Sequence, residues 1–94
     1  MRRLFWAQYR TSEFAPIPQG TIDPDKTIAI LPTAAIEQHG PHLPVGVDTM
    51  IQDGMIATLC QHVPDDLDIR ILPTQAIGKS NEHLQAPGTL TLTA

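Results

Sequence analysis

The chain has 94 residues and a net charge of −4, with six Lys and Arg against ten Asp and Glu. That length holds one domain at most, whose core buries roughly two-thirds of the unfolded surface and is marginal in stability. The acidic balance argues against nucleic-acid binding and the 41% hydrophobic share against disorder.

No stretch approaches a membrane span. The single cysteine, Cys60, allows no intrachain disulfide, as suits a reducing cytoplasm. All four aromatic residues, Phe5, Trp6, Tyr9 and Phe14, fall in the first fourteen positions. Aromatic side chains bury large areas, so this segment is expected to pack as a short helix or arm over a sheet. The other use of such a cluster is contact with a neighbouring subunit.

Residues 11–26 contain Pro16, Pro18, Gly20 and Pro24 and read as loop and turn. Residues 27–31 follow, short, β-branched and continuously apolar, the pattern of a parallel strand covered on both faces. Pro32 ends it. A helix is predicted over 49–63, with Thr49 and Gln52 spaced as a capping box. Ile56, Leu59, Cys60 and Val63 form its apolar face, and His62 sits at its end as a surface residue. Residues 68–72 read as a second strand, ended by Pro73. The fold class is therefore α/β, a βαβ unit that begins a mostly parallel sheet covered by helices. In such sheets ligands bind outside the carboxyl ends of the strands, where the loops after both strands meet.

Those loops carry the chemistry. The first, Glu37-Gln38-His39-Gly40-Pro41-His42-Leu43-Pro44 followed by Asp48, places two imidazoles and two carboxylates within twelve residues. Glu37 and His39 are two apart, so on extended backbone they point the same way. Gly40 and the two prolines turn the chain, which lets Asp48 return beside them. Carboxylate oxygen next to imidazole nitrogen suits zinc or manganese better than calcium or magnesium. The second loop carries Ser80, Glu82 and His83. A serine nucleophile needs an adjacent base held by a third group, and no complete triad is identified around Ser80.

The run from Ile30-Leu31-Pro32 through Glu37 to Pro44 and on to Asp48-Thr49 resembles the signature of the creatininase (creatinine amidohydrolase) family. A second block in the right order, Gly78-Lys79-Ser80-Asn81-Glu82-His83 followed by Pro87-Gly88-Thr89, is similar to that family's second motif. The resemblance spans residues 27–92. It implies creatininase-like α/β/α layers and two divalent ions per site, zinc or manganese. Glu37, His39 and Asp48 match metal-ligand positions, and Asp48 resembles a bridging ligand. Ser80 resembles a substrate-contacting serine. His42, Glu82 and His83 are expected to support the ligands by hydrogen bonds or to shape the loops.

The implied reaction is hydrolysis of a non-peptide C–N bond in a cyclic amide or formamide-type small molecule. Some relatives work in the maturation of peptide-derived redox cofactors. The family tends to form homo-oligomers, so a small-molecule substrate and further copies of the chain are the expected partners. Family members are longer, with further ligands downstream, so residues 1–94 are expected to be the N-terminal part of a single domain. The competing expectation is a non-catalytic truncated fragment, a structural or assembly piece lacking the remaining ligands.

Overall fold

Two β-branched runs, each stopped by a proline that cannot extend the ladder, become the strands of a computed structural model. It describes residues 2–93, so the expected domain limits at 1 and 94 lie outside the described residues. Strand β1 is Ile28–Ile30, helix α1 is Val47–His62, and strand β2 is Ile69–Ile71. The strands are parallel, with Ile28 opposite Ile69 and Ile30 opposite Ile71. Ile28 N donates to Asp68 O at 2.8 Å and Leu72 N to Ile30 O at 2.8 Å. Both strands therefore end on the same edge, as the βαβ reading requires.

The helix begins two residues earlier than expected, with Gly46 at its N-cap, and it ends at His62. Thr49 and Gln52 are not a capping box. Thr49 Oγ1 donates to Ala35 O at 3.2 Å and Gln52 Nε2 to Thr33 O at 2.8 Å. Both side chains thus satisfy carbonyls of the loop leaving β1 and pin the helix start against it, a tertiary use of a local sequence pattern. The expected apolar face holds: Ile56, Leu59, Cys60 and Val63 pack on a core of Leu4, Ile69 and Ile71. His62 is exposed, as expected.

Strand burial is uneven. Ile71 is 1% exposed, whereas Ile28 is 47% exposed, so β2 lies in the core and β1 is an edge strand among the described residues. The expectation that 27–31 is covered on both faces fails here, because a continuous apolar run specifies that a strand can be buried and not what covers it. The radius of gyration is 16.9 Å, against about 12 Å for a compact domain of this length. Met50, Ile51 and Met55 of α1 are correspondingly exposed. Among the described residues no helix is long and apolar enough to cross a membrane.

The aromatic segment closes the other edge of β2. Ile71 N donates to Leu4 O at 2.7 Å, and Phe5 bridges to Ile71 in parallel sense. Leu4 thereby enters the core. Two short 3-10 turns follow, Trp6–Gln8 and Thr11–Phe14. They stack Trp6 on Phe14 with ring centroids 4.6 Å apart. The guanidinium groups of Arg3 and Arg70 lie over the Tyr9 ring at 4.2 and 4.6 Å, cation–π contacts that tie the arm to β2. The arm thus packs on its own sheet. Glu13 is the polar anchor of this layer. It is buried, accepts from Arg3 at 2.7 and 3.2 Å, and accepts from the Arg10 N–H at 2.7 Å. Gly20 is required beside it, since a Cβ there would sit 1.9 Å from Ala15 O.

The Arg3 hydrogen bonds, then the Arg10 N–H, hold the Glu13 carboxyl at about 2, below its ordinary 4.5. A depressed carboxylate stabilises the fold above pH 4.5, and that contribution is lost as pH falls toward 2. Glu13→Gln is therefore expected to lower stability at pH 7, with the gap to the parent chain closing between pH 4.5 and 2. Urea denaturation across that window measures it. In the core, Ile71→Ala is expected to cost about 2–5 kcal/mol, seen as a lower urea midpoint at unchanged slope.

Candidate metal centre

The loop leaving β1 is shaped by its own backbone bonds. Glu37 N donates to Val45 O at 3.0 Å, which closes the segment between them into a loop. Gly40 turns it with φ 76°, a conformation costly for residues with a Cβ. Val47 N then donates to Pro44 O at 3.2 Å and α1 starts, placing Asp48 in its first turn. A carboxylate there is also favoured by the helix dipole.

The result is convergence. One ligand atom each of Glu37, His39 and Asp48 lies within 4.8 Å of the other two, and all three residues are half-buried. His39 Nδ1 is 2.9 Å from Glu37 O. A carbonyl only accepts, so Nδ1 carries the proton and Nε2 is left with its lone pair. Nε2 lies 3.1 Å from Asp48 Oδ1. Two acceptors at that separation require a cation between them: a proton, which makes imidazolium, or a metal ion. The Glu37 carbonyl first, then the charges of Asp48 and Glu37, accordingly push the His39 pKa up against partial desolvation. Orientation of an imidazole through Nδ1–H to a carbonyl is also how metal-ligating histidines are held.

The second loop is stitched to the first by residues 89–92. Leu90 N donates to Ile36 O at 2.8 Å and Gln38 N to Thr89 Oγ1 at 3.2 Å. Leu92 N donates to Gly78 O at 2.9 Å and Ser80 N to Thr91 Oγ1 at 2.8 Å. Gly88 enters this stitch with φ 87°. The 3-10 turn Asn81–His83 follows Ser80, with His83 N donating to Ser80 O at 3.1 Å. This brings Glu82 and His83 to Glu37, again with one ligand atom of each within 4.8 Å.

Of the other expected residues, Ser80 is 2% exposed and is held by its backbone, while His42 is exposed and joins neither group of ligand atoms. An open cleft of about 370 Å³ runs between the loop after β1 and the helix start; of Glu37, His39 and Asp48, only Asp48 lines it. Residue spacing missed the stitching role of Thr89 and Thr91, because a side chain bonded to distant backbone leaves no periodic signal. The donor set of two carboxylates and one imidazole fits a divalent metal ion.

With this geometry in view, the comparisons with known proteins agree on one family. The family model described as Creatininase: Creatinine amidohydrolase matches residues 17–94. The chain is 37% identical over 67 residues to a protein of Mycolicibacterium smegmatis named mycofactocin precursor peptide peptidase, covering 69% of this chain and 27% of that protein. A protein of the same name from Mycobacterium tuberculosis is 35% identical over 69 residues, covering 67% of this chain and 28% of its own length. The chain thus spans little more than a quarter of the curated relatives it matches. No solved structure matches it.

Asp48→Asn removes a charge that favours imidazolium. The His39 pKa is therefore expected to fall while remaining supported by the Glu37 carbonyl, which contributes most. An NMR titration of the His39 ring in the metal-free chain reads this; an unchanged or raised value would contradict the pairing.

Proposed function

The chain belongs to the creatininase family, and we propose that it carries part of the metal site of an amide-hydrolysing enzyme. One observation carries the reading: His39 is oriented by the Glu37 carbonyl so that its Nε2 faces the Asp48 carboxylate at 3.1 Å. In this reading Glu37, His39 and Asp48 hold a zinc or manganese ion. Such an ion supplies a water activated near neutral pH and polarisation of the scissile carbonyl. A bound ion would be held by His39 Nε2 and Asp48 Oδ1, which face each other at 3.1 Å, and holding it requires the imidazole to be neutral at Nε2. Glu37 serves twice, with its carbonyl on the imidazole and its carboxylate on the ion.

The bond cleaved is an amide C–N bond. The relatives are named as peptidases of a precursor peptide, which makes a peptide amide the first substrate class to try. The cyclic amides and formamides suggested by the family resemblance come second. Ser80, buried in this structure, is assigned to substrate contact, which requires its loop to uncover it when substrate enters. His42 is assigned to loop shape rather than to metal. Further copies of the chain are its partners under this reading.

A second reading, a structural piece without turnover, is favoured by the extended shape and the exposed Met50, Ile51 and Met55. Metal content separates the two. Elemental analysis of the purified chain after gel filtration is expected to find zinc or manganese in stoichiometric amount. Glu37→Ala, His39→Ala and Asp48→Ala should each lower its affinity by more than about tenfold, the scale of losing even a supporting contact. Full metal content in all three variants would sink the assignment. Ser80→Ala is expected to keep the metal and slow peptide cleavage.

A further inference from the structure

The two peptide groups that flank Glu37 carry four polar atoms, and each has a partner. Ile36 O accepts from Leu90 N at 2.8 Å, and Glu37 N donates to Val45 O at 3.0 Å. Gln38 N donates to Thr89 Oγ1 at 3.2 Å, and Glu37 O accepts from His39 Nδ1 at 2.9 Å. Thr89 and His39 therefore hold opposite ends of one peptide group. We infer that Thr89 is a positioning residue, whose hydroxyl acts through the Glu37–Gln38 peptide to set the direction and tautomer of the His39 imidazole. The inference rests on the metal-site reading for its effect on ion binding, and on the hydrogen bonds alone for its effect on the ring.

A trans peptide is planar, with its N–H and C=O on opposite sides. Holding the Gln38 N–H in one direction thus holds the Glu37 carbonyl in the other, toward the ring. A peptide whose N–H already donates is also a stronger acceptor at its carbonyl, because hydrogen bonds in a chain polarise one another. This matters because a neutral imidazole has one proton for two acceptors. Glu37 O stands 2.9 Å from Nδ1, and Asp48 Oδ1 stands 3.1 Å from Nε2. A proton on Nδ1 leaves Nε2 open to an ion, whereas a proton on Nε2 blocks it. Thr89 tips that competition toward Nδ1.

The seat of Thr89 is itself set by its neighbours. Leu90 N on Ile36 O fixes the residue after it. Gly88 before it takes φ 87°, and a Cβ there would lie 3.2 Å from Val45 Cγ1, so the segment runs close against the first loop. Of the four partners around Glu37, Thr89 Oγ1 alone is a side-chain atom outside the candidate ligands. Its removal therefore alters neither backbone nor donor set. Thr91 does a parallel task for the second loop, accepting from Ser80 N at 2.8 Å.

Long-range proton–nitrogen NMR of the His39 ring, in the metal-free 94-residue chain at a pH where the ring is neutral, reads the tautomer. Zinc titration against a chelating dye reads the affinity. The parent chain is expected to show mainly the Nδ1–H form. Thr89→Val, close in shape but without an acceptor, should shift the ring toward Nε2–H and weaken zinc binding by about 10- to 100-fold. Thr89→Ser keeps the hydroxyl and should restore both. Thr91→Val, which removes the shorter bond of the same segment, should leave the His39 tautomer as in the parent. Circular dichroism checks that each variant is folded. Amide exchange in the parent needs no variant: the Gln38 N–H is expected to be protected, and exchange as free as that of an unbonded amide would overturn the inference. An unchanged tautomer in folded Thr89→Val, or an equal shift in Thr91→Val, would also overturn it. A tautomer shift in Thr89→Val with no zinc bound by the parent would keep the positioning role and remove the metal-site reading instead.

Discussion

Everything at the candidate centre depends on the parallel pairing of β1 with β2. Antiparallel strands would send the two loops to opposite ends of the sheet. In parallel register, with Ile28 opposite Ile69 and Ile30 opposite Ile71, both prolines that follow the strands release their loops at one edge. The pairing continues loosely past the prolines, through a bridge between Thr33 and Gln75. It then gives way to the antiparallel contact of Ile36 with Leu90. Two loops distant in sequence thus share one small volume.

Within that volume electrostatics and backbone geometry work together. Glu37 positions His39 through its carbonyl, and the imidazole faces a carboxylate that the first turn of α1 returns to the same place. Each residue is only half-buried, so ions and solvent can exchange while the loop bonds hold the donors in position. The arrangement gathers the carboxylates of Glu37, Asp48 and Glu82 at one edge of the sheet.

The opposite side of β2 solves a different problem. A three-residue strand offers little pairing energy, and an exposed edge invites association. The N-terminal arm covers that edge with Leu4 and Phe5 and anchors itself through Glu13, Arg3, Tyr9 and Arg70. A mostly polar and cationic layer around one aromatic cluster thereby protects the single well-buried strand, whose Ile71 is the most enclosed residue of the core.

From its residues alone the chain disclosed its local elements and the polar residues that gather at its first loop. The β-branched runs before Pro32 and Pro73 are strands, the 56–59–60–63 face is apolar, and Glu37, His39 and Asp48 converge as their spacing and the turn at Gly40 imply. These are short-range consequences of side-chain period, proline geometry and turn chemistry, which a linear pattern records. What the tertiary structure alone decided is which distant groups meet. It turned Thr49 and Gln52 from an apparent helix cap into anchors for the first loop. It left β1 on an edge, and it brought Glu82 and His83 to Glu37 through a stitch made by Thr89 and Thr91. Such contacts depend on strand register and on hydrogen bonds between residues some 11 to 51 positions apart, and no periodicity in the chain encodes them.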